Sequence, residues 1–83
     1  MEKEKFCVVG KQVIHSNQKN ADYCMVHIMV PFNDQEITSG AQGARVFSTM
    51  VTPSEYNRIG LNNYTGYIMQ NGRYTSVAFD EQI

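Results

Sequence analysis

Turn-forming residues cut this chain into pieces of strand length, and that spacing limits the fold more than any other feature. Asn, Asp, Gly and Ser gather at residues 16–22, 32–43 and 71–72. Gly and Asn accept positive φ at such places, and Pro31 withholds a backbone donor. The pieces between them are rich in Val, Ile, Tyr, Phe and Thr, the residues that suit a pleated, half-buried surface. No internal repeat, low-complexity stretch or linker interrupts them, so residues 1–83 are expected to form one domain.

The first piece, residues 6–15, alternates except at Val8-Val9-Gly10, where the pattern slips by one. A glycine at such a slip predicts a bulge or sharp bend, the device that lets a long strand curl around a small barrel. Polar residues 16–22 lead into residues 23–30, nearly unbroken apolar sequence stopped by Pro31. This reads as a β-hairpin with an extended loop. In its second strand Cys24, Val26, Ile28 and Val30 point one way and Tyr23, Met25, His27 and Met29 the other, so both faces are expected to be covered. Residues 32–43 hold Asn33, Asp34, Thr38, Ser39, Gly40 and Gly43 and read as a mobile surface loop. A third strand over 44–51 alternates Arg45, Phe47 and Thr49 against Val46, Ser48 and Met50.

Thr52-Pro53-Ser54-Glu55 is a capping box: the Thr hydroxyl can accept the Glu55 N–H, the Glu55 carboxylate can reach back, and Pro53 suits the first helical position. It predicts a short helix of about two turns closed by Gly60 in the C′ position. Residues 64–70 and 73–80 flank Asn71-Gly72, which predicts a hairpin with a type I′ turn and Gln70 opposite Arg73. Read outward from there, Ile68, Val77, Tyr64 and Phe79 share a core face. The other face sets Met69 opposite Tyr74 and Tyr67 opposite Ser76. The resulting order predicts a mainly β fold, a small five-stranded OB-like Greek-key barrel with one short helix between strands 3 and 4. An SH3-like barrel also has five strands but does not normally place a capped helix there.

Eighty-three residues allow one core, and a chain this short buries only roughly 60% of the surface its unfolded form exposes, so self-association is a natural supplement. No segment approaches the ~20 apolar residues of a membrane span and the start lacks a signal-peptide run, so a cytoplasmic location without a membrane partner is expected. Cys7 and Cys24 are too far apart for CxxC and sit in apolar runs, which favours buried free thiols over a disulfide. The net charge of −1 lacks the basic excess of most phosphate binders. Between residues 5 and 79, however, Lys5, Lys11, Lys19, Arg45, Arg58 and Arg73 outnumber Asp22, Asp34, Glu36 and Glu55.

Residues for catalysis are thin. His15 and His27 have no Cys or carboxylate at ligand spacing, and there is no Gly-rich phosphate loop, G-x-S-x-G or HExxH. Asp34 with Glu36, and Asp80 with Glu81, read as solvated charges. No enzyme activity, metal or cofactor is expected. A binding surface is better supported: the non-core face of strands two and three would present Tyr23, Met25, His27, Arg45 and Phe47 together, with Lys11, Lys19 and Arg73 near phosphates and Tyr74 as a further stacking ring. Bases stack on such rings without sequence-specific hydrogen bonds. The competing reading packs Met25, Met29, Phe47, Tyr67 and Met69 against a second copy, a homodimer, or against another protein as an interaction module.

Two stretches carry a resemblance. Lys19-Asn20-Ala21-Asp22 runs into Tyr23 and a long apolar strand, and Gly66-Tyr67-Ile68-Met69-Gln70-Asn71-Gly72 opens a closing hairpin that ends at Asp80. With the chain length, these features make the sequence similar to the single-stranded-DNA-binding, helix-destabilising proteins of filamentous bacteriophages. The resemblance implies an OB-like β-barrel homodimer that coats single strands cooperatively, without sequence preference or cofactor. The role expected of such a chain, in a phage or a conjugative element, is to protect single-stranded DNA during replication or transfer. It carries a stacking role to Tyr23, which follows the matching turn, and to Phe47 and Tyr74 by strand position. The capped segment 52–60 departs from that family, which has little helix.

Overall fold

Phe6 and Val8 face the concave side of the sheet, yet so do Lys11 and Val13, and the change of parity between them organises the whole fold. The computed structural model describes residues 3–83. Its elements are β1 (Glu4–Ser16), β2 (Ala21–Pro31), α1 (Asp34–Thr38), β3 (Ala44–Val51), α2 (Pro53–Arg58), β4 (Asn63–Asn71) and β5 (Tyr74–Gln82). The five strands form one antiparallel sheet in the order β3-β2-β1-β4-β5. β1 pairs with β4 from Glu4↔Gly66 to Cys7↔Asn63 and with β2 from Cys7↔Met29 to Ser16↔Ala21. Between Val8 and Gly10 its register shifts and Val9 is left as the extra residue. The slip expected at Val8-Val9-Gly10 is therefore a bulge, and it bends β1 from one neighbour toward the other. The sheet curls until its edge strands β3 and β5 touch, although no ladder joins them among the described residues.

The core fills the concave side. Phe6, Val8, Val26, Ile28, Val30, Ile59 and Tyr64 are buried, and Phe47, Val51, Tyr56, Ile68, Val77 and Phe79 pack around them. Phe79 meets Phe6 and Tyr64 edge-on, with centroids 5.4 and 5.5 Å apart, the arrangement that sets ring edges against ring faces. α2 lies against β2, with Tyr56 packed on the core. Its capping box forms as expected, with Thr52 Oγ1 accepting the Glu55 N–H at 3.2 Å. Beyond the core the β1–β2 hairpin runs on, leaving Val13 53% and Ile14 43% exposed.

Five local expectations are corrected. Residues 33–38 are not a loop throughout: Asn33 accepts the Glu36 N–H at 2.8 Å while Glu36 Oε1 accepts the Asn33 N–H at 3.1 Å, and this second capping box starts α1. The β1–β2 connection is a short turn over residues 17–20, where Asn20 takes φ 49°, and not an extended loop. The last hairpin turns at Gly72-Arg73 with Asn71 opposite Tyr74, so Tyr67 faces Ala78 and Met69 faces Ser76. Gly72 has φ 62°, the first central position of a II′-like turn. The shift is even, so the expected core face survives. Gly60 does not close α2 with positive φ: the chain leaves extended at Ile59 (φ −79°, ψ 125°), which drives that side chain into the core. Gly60 instead donates its N–H to the Tyr64 hydroxyl at 2.9 Å, satisfying a buried polar group. Cys7 and Cys24 are unbridged but half-buried rather than buried, and the strand parities set them on opposite faces of the sheet.

Candidate functional site

Strand parity and register decide which side chains share the convex face of β1, β2 and β3. The pairs Ile14↔Tyr23, Gln12↔Met25↔Met50, Gly10↔His27↔Ser48 and Cys7↔Met29↔Val46 cross it as successive rows. Ile14, Tyr23, Met25 and Met50 of the first two rows floor a groove of about 640 Å³. One wall is the tip of the β1–β2 hairpin, with Ser16 and Lys19, and the other is the start of β5, with Arg73, Tyr74, Thr75 and Ser76. In a flat sheet these hairpin tips would lie at opposite ends, because β4 runs antiparallel to β1; the curl brings them to one cleft. Ile14, Tyr23, Met25 and Met50 make the floor apolar, Lys19 and Arg73 are its cations, and no carboxylate lines it.

The groove unites Lys19, Tyr23, Arg73 and Tyr74 of the residues expected to bind a ligand. It does not unite the others. Phe47 pairs with Ile28 and Arg45 with Val30, so both point to the concave side, away from Tyr23, Met25 and His27. Phe47 packs against the core. The Arg45 guanidinium lies 5.9 Å from the Phe47 ring centroid and reaches Glu4 at 3.4 Å and Glu36 at 3.9 Å, so its charge is matched within the chain. The common face expected for these five residues is thus wrong by one parity in β3. The physical reason is the core: Phe47 is the bulkiest apolar residue of β3 and fills the space opposite Ile28. Lys11 also lies on the concave side, its Nζ 4.3 Å above the Tyr56 ring of α2. His27 is on the convex face, but both ring nitrogens are held within the protein, 2.6 Å from Gln12 Oε1 and 2.6 Å from Ser48 Oγ.

Sequence reasoning missed Ile14, Ser48, Met50 and the hydroxyls of Ser16, Thr75 and Ser76 as lining. The usable signal was the pairing Met25↔Met50, available once Phe47 is assigned to the core. Among the described residues neither Lys19 nor Arg73 has a carboxylate partner within 4.0 Å, whereas Lys3 pairs with Asp80. His15 meets Asp22 at 2.7 Å on the concave side of the hairpin, so that acid is turned from the groove. A second hollow of about 370 Å³ lies over Lys5, Phe6, Cys7, Met29, Pro31, Asn63 and Ile83. The described residues contain no group of three or more His, Cys, Asp or Glu placed to hold a metal ion, and no helix long and apolar enough to cross a membrane.

The groove's chemistry is therefore that of a slot with flat rings and thioethers on its floor, hydroxyls along its edge and one cation on each hairpin. It can take a flat, partly apolar ligand that carries negative charge at its ends. No protein-family model, no curated protein and no solved structure matches this chain.

Proposed function

We propose that this protein binds single-stranded nucleic acid, DNA in preference to RNA, by stacking bases on the groove floor and holding phosphates at its two rims. The observation that carries the reading is the groove itself: Tyr23 and Tyr74, with Lys19 and Arg73, in a cleft without a carboxylate. Base–aromatic stacking is worth about 1–3 kcal/mol per base and needs no particular sequence, while cations track the backbone. The strand order β3-β2-β1-β4-β5 with touching edges fits an OB-type Greek-key barrel. In that fold the strand 2–3 face and the loops joining strands 1–2 and 4–5 bind oligonucleotides. The likeness to the phage helix-destabilising proteins agrees with this reading and extends it to a homodimer that coats strands during replication or transfer.

Fluorescence anisotropy with labelled oligo-dT tests it. Wild-type protein should bind, and Tyr74→Ala, at a position 73% exposed, should weaken binding by roughly 5- to 150-fold, the value of one stacked base, with an unchanged thermal melt. No anisotropy change at low salt with micromolar protein would end the proposal. A second reading, a docking surface for another protein, is favoured by the thioethers of Met25 and Met50 in the groove and by the net charge of −1, since Met-rich surfaces repack around partners. Oligonucleotide affinity that ignores salt would favour it.

A further inference from the structure

We infer that Ser48 presents lone pairs, and not its proton, to the groove, and that His27 imposes this polarity. His27 sits mid-face between Gln12 of β1 and Ser48 of β3, with Nε2 2.6 Å from Gln12 Oε1 and Nδ1 2.6 Å from Ser48 Oγ. An amide oxygen only accepts, so Nε2 carries a hydrogen and donates it to Gln12. A neutral imidazole has one N–H, which leaves Nδ1 bare to accept the Ser48 hydroxyl proton. A serine has one proton to give, and here the ring takes it. What Ser48 turns to the groove it lines is acceptor capacity alone. The relay crosses three adjacent strands, so the sheet register holds it rather than a loop. Gly10 pairs with His27 across the sheet, and a Cβ there would meet the ring only in ordinary van der Waals contact, 3.4 Å from Cδ2.

The inference rests on the single-strand reading and assigns a direction to the strand. An acceptor-only hydroxyl repels phosphate oxygens and welcomes the N–H groups of base edges, whereas Lys19 and Arg73 can only donate. Bases therefore turn toward β2 and β3 with an N–H on Ser48, and phosphates lie outward on the hairpin tips. His27 is a positioning residue: it orients Ser48 and does not itself touch the strand.

Two measurements test this. In ligand-free protein the ¹⁵N resonances of the His27 ring should show protonated Nε2 and bare Nδ1; the reverse tautomer would overturn the inference. Thymine offers one ring N–H, at N3, so oligo-dT is titrated beside the same oligomer built from N3-methylthymidine. Wild-type protein should bind the methylated strand roughly two- to tenfold more weakly, the range of one neutral hydrogen bond. Ser48→Ala should lose a similar factor on oligo-dT and bind both strands alike. His27→Phe, which keeps a ring but no nitrogen, should lower the ratio between the two ligands, a readout that a merely structural role would leave unchanged. Equal wild-type affinity for both strands would overturn the role of Ser48 while leaving single-strand binding intact. Failure of both strands to bind would remove both readings.

Discussion

Arg73→Gln deletes one of the two cations that line the groove, out of seven Lys and Arg in the chain, and its effect on salt dependence can be worked out in advance. Lys3 is paired with Asp80, Arg45 with Glu4 and Glu36, and Lys11 lies over Tyr56 on the concave side. With two phosphate contacts, log K should fall against log salt with a slope of about −1.4, taking roughly −0.7 per neutralised phosphate on a single strand. A fourfold rise in salt then weakens wild-type binding roughly sevenfold. Arg73→Gln or Lys19→Gln should halve the slope to about −0.7 and leave a loss of under threefold, and the double variant should be nearly insensitive. Lys11→Gln should keep the wild-type slope. Anisotropy titrations of oligo-dT across a salt series, with thermal melts of each variant as a control, give these slopes directly. A wild-type slope steeper than about −3 would mean that phosphates follow charges elsewhere. An unchanged slope in the double variant would take the groove out of binding altogether.

Three further outcomes concern the scaffold. A Cβ at Gly66 would stand 2.2 Å from the Ala78 carbonyl oxygen and 3.2 Å from Phe6 Cζ, at the point where the β4–β5 register shifts. Gly66→Ala should therefore destabilise by about 3 kcal/mol, the upper end for overpacking. At Gly72 the space is open and only φ 62° resists a side chain, so Gly72→Ala should cost about 1–2 kcal/mol; denaturant titration that ranked the two the other way would contradict the packing at the β4–β5 bulge. Hydrogen bonding and charge attraction from Asp80 raise the Lys3 ammonium above the usual lysine value. Being raised, it adds its stability in full below the ordinary lysine range and loses it as pH climbs through the raised value. Asp80→Asn should bring the Lys3 titration midpoint down, as followed by NMR, and an unmoved midpoint would deny the pair.

How far each feature could be read depended on the reach of the interaction behind it. The α2 capping box, the bulge at Val8 and Gly10, and the alternating faces of β2 follow from residues within a few positions of one another, and the structure places them as the residues imply. The Asn33-to-Glu36 capping box of α1 was equally local, but Gly40 and Gly43 nearby drew the reading toward a loop. The last hairpin shows the limit of local turn chemistry. Asn71-Gly72 favours a turn, yet pairing Asn71 with Tyr74 moves the two-residue loop to Gly72-Arg73 and changes the partners of Tyr67 and Met69.

The sequence by itself determined the strand-sized pieces, the capped helices, the core face of β2 and two aromatic–cation sets, Lys19 with Tyr23 and Arg73 with Tyr74. Each is a neighbour relation along the chain. Only the tertiary structure decided that these two sets face each other across one groove, and that Phe47 and Arg45 belong to the opposite side. Both depend on register between strands far apart in sequence. In β3 apolar residues occur on both faces, so alternation alone left two choices. The core's need for a ring opposite Ile28 selected between them, and the curl begun at the β1 bulge brought the hairpins together.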